Sequence, residues 1–167
     1  MNPAVRAETP ADFAAIRAIN TVAFGGAQEA ALVDALRADG DLVLSLVAET
    51  GDDIVGHVAF SRMQVEQAGR ATPAVSLAPL AVRPEHQRRG LGTALVKSGL
   101  KQLTKRGETL VFVLGEPEYY GRFGFTTGRA ARFTSPYPGP HFQSLTLSPQ
   151  APSSGTVRYA RAFALVS

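Results

Sequence analysis

Three stretches of the chain carry apolar residues at the spacing of an amphipathic helix. Residues 9–24 place Thr9 and Pro10 ahead of such a pattern, which is a usual start of a helix. Residues 27–40 repeat the pattern and end at Gly40, a typical stop, and residues 91–105 form the third stretch. The inward positions expected in these helices are Phe13, Ile16, Ile19 and Val22; Leu32, Val33 and Leu36; and Leu91, Leu95, Leu100 and Leu103. Lys97, Lys101 and Lys105 form the expected solvent face of the third helix.

Most other apolar segments are short or alternate with polar residues, as strands do. The predicted strands are 5–8, 42–49, 53–63, 74–84, 109–116, a start at 124–127, 142–147 and 157–166. The motif "TGDD" (50–53) predicts a tight turn between the second and third of them. A short helix is expected around "PEYYGRF" (117–123), and proline-rich loops flank the strand at 142–147.

This order of elements predicts one domain of the α/β (α+β) class, with a mixed, mostly antiparallel sheet and flanking helices. The helix at 91–105 connects the strand that ends at Val82 to the strand at 109–114, so those two strands should run parallel. Pro79 lies inside the first of the two and cannot donate to a ladder, so we expect a bulge or an edge there.

Composition describes an ordinary globular protein and excludes several kinds of site. The 167 residues are 45% hydrophobic and 19% charged, which suits a single core. The absence of cysteine excludes disulfides, thiolate metal sites and a cysteine nucleophile, and the three histidines are not at metal-ligand spacing. We therefore expect no metal.

Charge and hydropathy set the expected partners and compartment. A dispersed net charge of +3 gives no reason to expect nucleic-acid binding. No apolar run is long enough for a membrane span, and the first residues lack a signal-peptide core, so a cytoplasmic monomer or homodimer is expected.

The most informative stretch is "RPEHQRRGLG" (83–92), which separates a strand from a helix. Unpaired amides and the helix dipole make such a turn an anion site, and glycine removes side-chain obstruction. Gly92 is followed by Thr93 and Ala94, which excludes the Walker pattern, and Leu95 occupies the third glycine position of the dinucleotide fingerprint. The pattern that fits is Q/R-x-x-G-x-G/A, as Gln87, Gly90 and Gly92.

A second motif, "LGEPEYYGRFGF" (114–125), follows the next strand. Together the two motifs resemble the GNAT superfamily of acyl-CoA-dependent N-acetyltransferases, especially a bacterial subgroup with a P-x-Y-Y-x-R-F-G-F ending. The resemblance covers most of the chain and is strongest from Leu77 to Phe125. It implies a single GNAT-like acetyltransferase domain over 1–167, with a cofactor-binding core at about 74–127 and C-terminal strands and acceptor-side loops at 128–167.

The resemblance also implies where acetyl-CoA, or coenzyme A, would bind. Gln87 and the backbone amides from Arg88 to Thr93 would cradle the pyrophosphate. The residues of this turn expected at the cofactor are Gln87, Arg88, Arg89, Gly90, Leu91, Gly92 and Thr93. Leu80, Ala81 and Val82 would hydrogen-bond the pantetheine arm as a further strand. Pro79 supports this expectation, because an interrupted ladder lets the two parallel strands splay. The guanidinium groups of Arg88 and Arg89 could add contacts to phosphate or be ordinary surface groups.

For the chemistry, the resemblance implies Leu80 N–H as the oxyanion donor and Tyr120 as the general acid for the departing thiolate. A phenol with a pKa of about 10 can protonate a thiolate that is hydrogen-bonded while its charge develops. Tyr119 and Phe123 are expected to be packing residues or neighbours of the acyl group. The strand before the turn lacks a carboxylate, so the general base stays open between Glu116, Glu118, His57 and water.

The function expected from these residues is transfer of an acetyl group from acetyl-CoA to a primary amine. The alternative is a non-catalytic acyl-CoA-binding or sensor module, which the missing strand carboxylate favours and Tyr120 opposes. The acceptor, a small-molecule or peptide amine, would bind between residues 24–28 and residues 137–142. Nothing in those stretches identifies it.

Overall fold

The computed structural model describes residues 3–166. Its strands are β1 (Ala4–Ala7), β2 (Leu42–Thr50), β3 (Asp53–Gln67), β4 (Arg70–Val82), β5 (Leu110–Leu114), β6 (Phe133–Thr134), β7 (Phe142–Thr146) and β8 (Gly155–Arg158). Its α-helices are α1 (Phe13–Phe24), α2 (Gln28–Ala38), α3 (Leu91–Lys105), α4 (Pro117–Gly121) and α5 (Thr127–Ala130). Short 3₁₀ helices lie at Pro10–Asp12, Pro84–His86 and Arg161–Val166.

The strands form one mixed sheet in the order β1-β2-β3-β4-β5-β7, and β8 pairs with both β3 and β6. Pairing is antiparallel except between β4 and β5 and between β6 and β8. The predicted fold class is therefore confirmed, as is the parallel pair joined by α3.

The sheet opens between β4 and β5. Their parallel pairing ends at Leu77 opposite Val113, although β4 continues to Val82. On the other side of β4, Ala78 and Pro79 together face the single residue Ala59 of β3, which is a β-bulge. The expected bulge and splay are both present, and the gap they leave opens toward the N-terminus of α3.

Helices cover both faces of the sheet. Leu95 and Leu103 of α3 are fully buried and belong to the same cluster as Phe60 of β3. On the opposite face, Ile16 of α1 and Val33 of α2 pack against the sheet. The α3 helix can lie this close because Gly99 meets the Phe60 ring, which a β-carbon at that position would overlap. None of the helices within residues 3–166 combines the length and apolar character of a membrane span.

Two local predictions were wrong at the ends of elements. Val22 was expected to face inward but is 54% exposed. It follows Phe13 by nine residues, which is two and a half helical turns, so it lies on the opposite side of α1. Residues 124–127 do not start a strand beyond a single bridge from Thr126 to Ser144. The Thr126 hydroxyl accepts a hydrogen bond from the Arg129 amide at 3.2 Å and so caps α5 instead.

The predicted last strand is also shorter than expected. Pairing of β8 ends at Arg158, and residues 161–166 form a 3₁₀ helix. Phe163 packs against Leu32 and Leu36 of α2, and Arg161 forms an ion pair with Asp39 at 2.7 Å. Packing against α2 therefore determines the conformation of this segment, although its alternation of apolar and polar residues predicts a strand.

Candidate active site

Two clefts meet at Leu80, where β4 leaves β5. The first, of about 520 Å³, lies between the end of β4, the turn that follows it and α4. The second, of about 400 Å³, lies between the β4 bulge, α2 and the C-terminal 3₁₀ helix. Leu80 lines both clefts.

The first cleft contains the predicted anion site. The first hydrogen bond of α3 runs from the Ala94 amide to the Gly90 carbonyl at 3.0 Å, so the amides of residues 91–93 have no acceptor inside the helix. Gly90 caps the helix in the left-handed region at φ +81°, and Arg88 is also left-handed at φ +65°. The positive end of the helix dipole therefore faces the cleft without a capping side chain.

Side chains around this turn divide between the cleft and solvent. Gln87, Arg88, Gly90, Leu91, Gly92 and Thr93 line the first cleft. Arg89 is exposed and is not among the lining residues, so of the two arginines only Arg88 is at the expected place. The Gln87 side chain donates from Nε2 to the Val82 carbonyl at 3.1 Å and holds the turn against the strand.

The backbone of β4 shows which strand groups face the gap. The Arg83 amide donates to the Val55 carbonyl at 3.0 Å, so by antiparallel alternation Ala81 also exchanges its hydrogen bonds with β3, opposite His57. The amides and carbonyls of Leu80 and Val82 then point away from β3, toward the gap beside β5. This corrects the expectation for Ala81, which is 1% exposed and has its backbone groups inside the ladder.

Three residues of the first cleft were not predicted: His86, Tyr119 and Arg122. The Arg122 guanidinium lies 4.7 Å from the centre of the Tyr119 ring and lines the same cleft as Arg88. The Tyr119 hydroxyl approaches Gly92 so closely that a β-carbon there would lie 2.8 Å from it. The second glycine of the turn therefore makes room for a tyrosine of the second motif.

Tyr120 lies in the second cleft and is 9% exposed. Its ring rests on Gly115, where a β-carbon would be 2.4 Å from a ring carbon, and meets Tyr119 and Phe125 edge to face. No group within residues 3–166 hydrogen-bonds to its hydroxyl, which is thus free for a ligand. Burial, followed by the proximity of Tyr119, raises the pKa of Tyr120 above its ordinary value, so the phenol keeps its proton at neutral pH.

His57 is a structural residue and not an accessible base. It is 0% exposed, and its two ring nitrogens lie 3.2 Å from Asn20 Nδ2 and 2.9 Å from Ser45 Oγ. The Ser45 hydroxyl donates to Glu8 at 2.6 Å and must therefore accept from His57 Nε2, which leaves Nδ1 to accept from Asn20. Burial lowers the pKa of His57 to about 4, so the ring stays neutral.

The two predicted carboxylates also lie outside the second cleft. Glu116 is exposed and 3.6 Å from His141, and Glu118 faces a shallow depression with Arg122. The carboxylate that does line the second cleft is Glu29, in the first turn of α2. Sequence reasoning missed it because an acidic residue at a helix start is ordinary, and no local signal distinguished it.

The described residues hold no group of three or more potential ligands that could bind a metal ion. Of the two stretches expected to bind the acceptor, Phe24 and Tyr137 line the second cleft. The C-terminal contribution from Phe163 and Val166 was not predicted.

Comparison with known proteins agrees with this geometry. The family model for an acetyltransferase (GNAT) domain matches residues 4–128. The uncharacterized N-acetyltransferase YjhQ of Escherichia coli is 37% identical over 159 residues, which cover 89% of this chain and 87% of that protein. The YhbS protein of the same species is 42% identical over 123 residues, 72% of each chain.

Two crystal structures extend the similarity to the fold. The E. coli GNAT family N-acetyltransferase YhbS, in complex with CoA, matches with a TM-score of 0.88 and 34% identity over 98% of this chain and 93% of that one. A Brucella melitensis GNAT family acetyltransferase, in complex with acetyl-CoA, matches with a TM-score of 0.82 and 36% identity over 96% and 97%. The chain described here belongs to the GNAT family of acetyltransferases.

Proposed function

We propose that this protein transfers the acetyl group of acetyl-CoA directly to a primary amine. The observation that carries the proposal is the junction at Leu80 of two clefts with different chemistry. One cleft ends in free helix amides suited to phosphate, and the other is largely apolar and holds a protonated phenol. The crystal structures of relatives with CoA and acetyl-CoA support the choice of donor.

The residues of the first cleft fit coenzyme A by charge and by hydrogen-bonding capacity. The amides of residues 91–93 and the Arg88 side chain would bind the pyrophosphate, and Arg122 offers a second guanidinium on the opposite wall. The outward-facing backbone groups of Leu80 and Val82 would hydrogen-bond the amides of the pantetheine arm in the manner of an added strand.

Two groups at the junction would stabilise charge during transfer. The Leu80 amide, which faces the gap, would donate to the carbonyl oxygen as negative charge develops there. Tyr120 would act as the general acid, donating its proton toward the sulfur as the carbon–sulfur bond breaks. Because burial keeps the phenol protonated and a thiol has an ordinary pKa of about 8.5, we expect this donation to strengthen only as the thiolate forms.

Of the four candidates for the general base, water is favoured by the positions of the others. His57 is enclosed, and Glu116 and Glu118 do not line the second cleft. An amine that binds as its ammonium ion would have to lose one proton to water in the cleft before its nitrogen attacks the thioester carbonyl.

The test is release of free thiol when the full-length protein is incubated with acetyl-CoA and a panel of primary amines. Amine-dependent thiol release, together with the acetylated amine detected by mass spectrometry, is the expected result. Tight binding of acetyl-CoA without turnover of any amine would instead support the binding-module alternative. Equal competition by NAD or ATP would overturn the assignment of the first cleft to coenzyme A.

A further inference from the structure

The lining of the second cleft narrows the class of acceptor. On the basis of the function proposed above, we infer that the acceptor is a monoamine carried on an apolar body, with Glu29 binding its ammonium group. Neither the family nor the relatives specify an acceptor, so this inference rests on the walls of the cleft alone.

The walls are mainly aliphatic and aromatic. Leu77, Pro79 and Leu80 form one side, and Leu32 and Phe163 form the other. At the rim, Phe24 and Leu114 are 44% and 45% exposed and extend the apolar surface of the cleft. An aliphatic or aromatic body would cover these surfaces, whereas a polyol would leave its hydroxyl groups without partners.

Glu29 is the sole charged residue that lines the second cleft in the described part of the chain. Its carboxylate has no hydrogen bond or ion pair with any residue between 3 and 166, and it is partly buried. Most other acidic side chains near α2 are already paired, as Glu8 and Asp34 are with Arg37. Glu29 is thus an unpaired anion in the cleft that Tyr120 also lines.

The number of anions in the cleft limits the charge of the acceptor. One carboxylate balances one ammonium group, whereas a polyamine or an aminoglycoside would bring several cations against apolar walls. Arg122 and Arg88 line the first cleft and would repel such a polycation further. A single amine at the end of an apolar group is therefore the ligand that matches both the one carboxylate and the apolar walls of the second cleft.

The experiment measures binding and turnover separately, on full-length protein saturated with coenzyme A or acetyl-CoA. The probes are 2-phenylethylamine, its alcohol analogue 2-phenylethanol, ethanolamine and spermidine. Calorimetry should show 2-phenylethylamine binding at least about tenfold more tightly than each of the other three. Glu29→Gln should weaken 2-phenylethylamine about tenfold to a hundredfold, the range expected for loss of a charged hydrogen bond, and should remove its advantage over the alcohol.

Turnover and controls distinguish this inference from the proposed function. In steady state, Glu29→Gln should raise KM for the amine more than it lowers kcat, while the affinity for coenzyme A stays unchanged. Asp52→Asn, which removes one negative charge from the exposed β2–β3 turn, should alter neither quantity.

Preference for ethanolamine or spermidine, no detectable binding of 2-phenylethylamine, or an unchanged Glu29→Gln variant would each overturn the inference. Thiol release with spermidine alone would do so while leaving acetyl transfer intact. Conversely, 2-phenylethylamine could bind through Glu29 while no amine releases thiol. That result would support the ligand class inferred here and contradict the proposed acetyl transfer.

Discussion

Among single residues, Tyr120 is the proposed general acid, and its ring lies in an environment made mostly of other aromatic side chains. The ring packs on Gly115 and against Tyr119 and Phe125, and the residue lines the second cleft with no hydrogen bond to its hydroxyl from residues 3–166. A phenylalanine at this position would keep all of the ring contacts. The hydroxyl can therefore be removed without rebuilding its surroundings.

We expect Tyr120→Phe to lower kcat while leaving the dissociation constant of acetyl-CoA nearly unchanged, since the donation matters only as the thiolate forms. General acids contribute about 10²–10⁴-fold, and a thiolate is already a fair leaving group, so the loss should lie near 10²-fold. Steady-state kinetics and calorimetry on the same preparations measure the two quantities. A variant with the wild-type kcat would show that Tyr120 only packs.

At the scale of elements, the proposed binding of coenzyme A depends on the connection between β4 and α3. The bulge at Ala78–Pro79 frees the end of the strand, and the left-handed Gly90 starts the helix without a capping side chain. A β-carbon at Gly90 would meet no protein atom within 4 Å. A side chain there would therefore project into open space at the mouth of the cleft.

Gly90→Val should abolish or severely weaken coenzyme A binding, because the side chain would obstruct the approach of phosphate to the helix amides. Its left-handed φ should also lower the free energy of unfolding by about 1–2 kcal/mol. Gly107→Val is a matched control, since Gly107 follows the far end of α3 with φ +86° and equally open surroundings. Calorimetry and urea unfolding should show similar destabilisation in both variants but loss of binding only at position 90. Full affinity in a folded Gly90→Val protein would contradict the assignment.

For the whole molecule, a buried polar network ties β1, β2, β3, α1 and α2 together around His57. The histidine joins Asn20 to Ser45, and Ser45 continues to Glu8 and its ion pair with Arg37 at 2.8 Å. Protonating His57 would place a charge in the core and remove the acceptor for Asn20. The folded state is therefore stable only while the His57 ring is neutral.

We expect the free energy of unfolding to fall between pH 6.5 and about 4.5. The pKa of His57 is about 4 in the folded protein and ordinarily 6.5, so the unfolded chain binds more protons in this range and stability is lost as pH drops. The loss attributable to His57 should be about 2.5 kcal/mol at pH 4.5. Burial raises the pKa of Glu8, but hydrogen bonds from Arg37 and Ser45 hold that pKa below its ordinary value. Protonation of Glu8 therefore lowers the free energy of unfolding only at lower pH.

Urea unfolding of wild type and His57→Gln from pH 7.5 to 4.5 measures this contribution. The variant should be less stable at pH 7.5 but should lose less stability on acidification. An equal pH slope in the two proteins would contradict the assignment to His57.

Much of this architecture could be predicted from the sequence because the signals that specify it are local. Helix periodicity, the Gly40 stop and the glycine turn at 90–92 depend on neighbouring backbone groups. They correctly predicted α2, α3 and the start of α3 at Gly90, where the anion site is proposed. Pro79 predicted the bulge because a proline has no N–H to donate, whichever strand lies beside it. The crossover through α3 likewise predicted the parallel pair.

The second cleft, where we propose that the acceptor binds, was decided by the tertiary structure. Glu29, Leu80 and Phe163 line one cleft because the C-terminal segment packs on α2 as a 3₁₀ helix, although its sequence alternates as a strand does. The environment of His57 was equally hidden, since its partners come from residues 8, 20 and 45, far apart along the chain. Local patterns record which face of an element is buried, but they do not record which other element buries it. The proposed cofactor cleft, built from one strand, one turn and one helix, could therefore be predicted from sequence, whereas the proposed acceptor cleft, built from distant segments, required the fold.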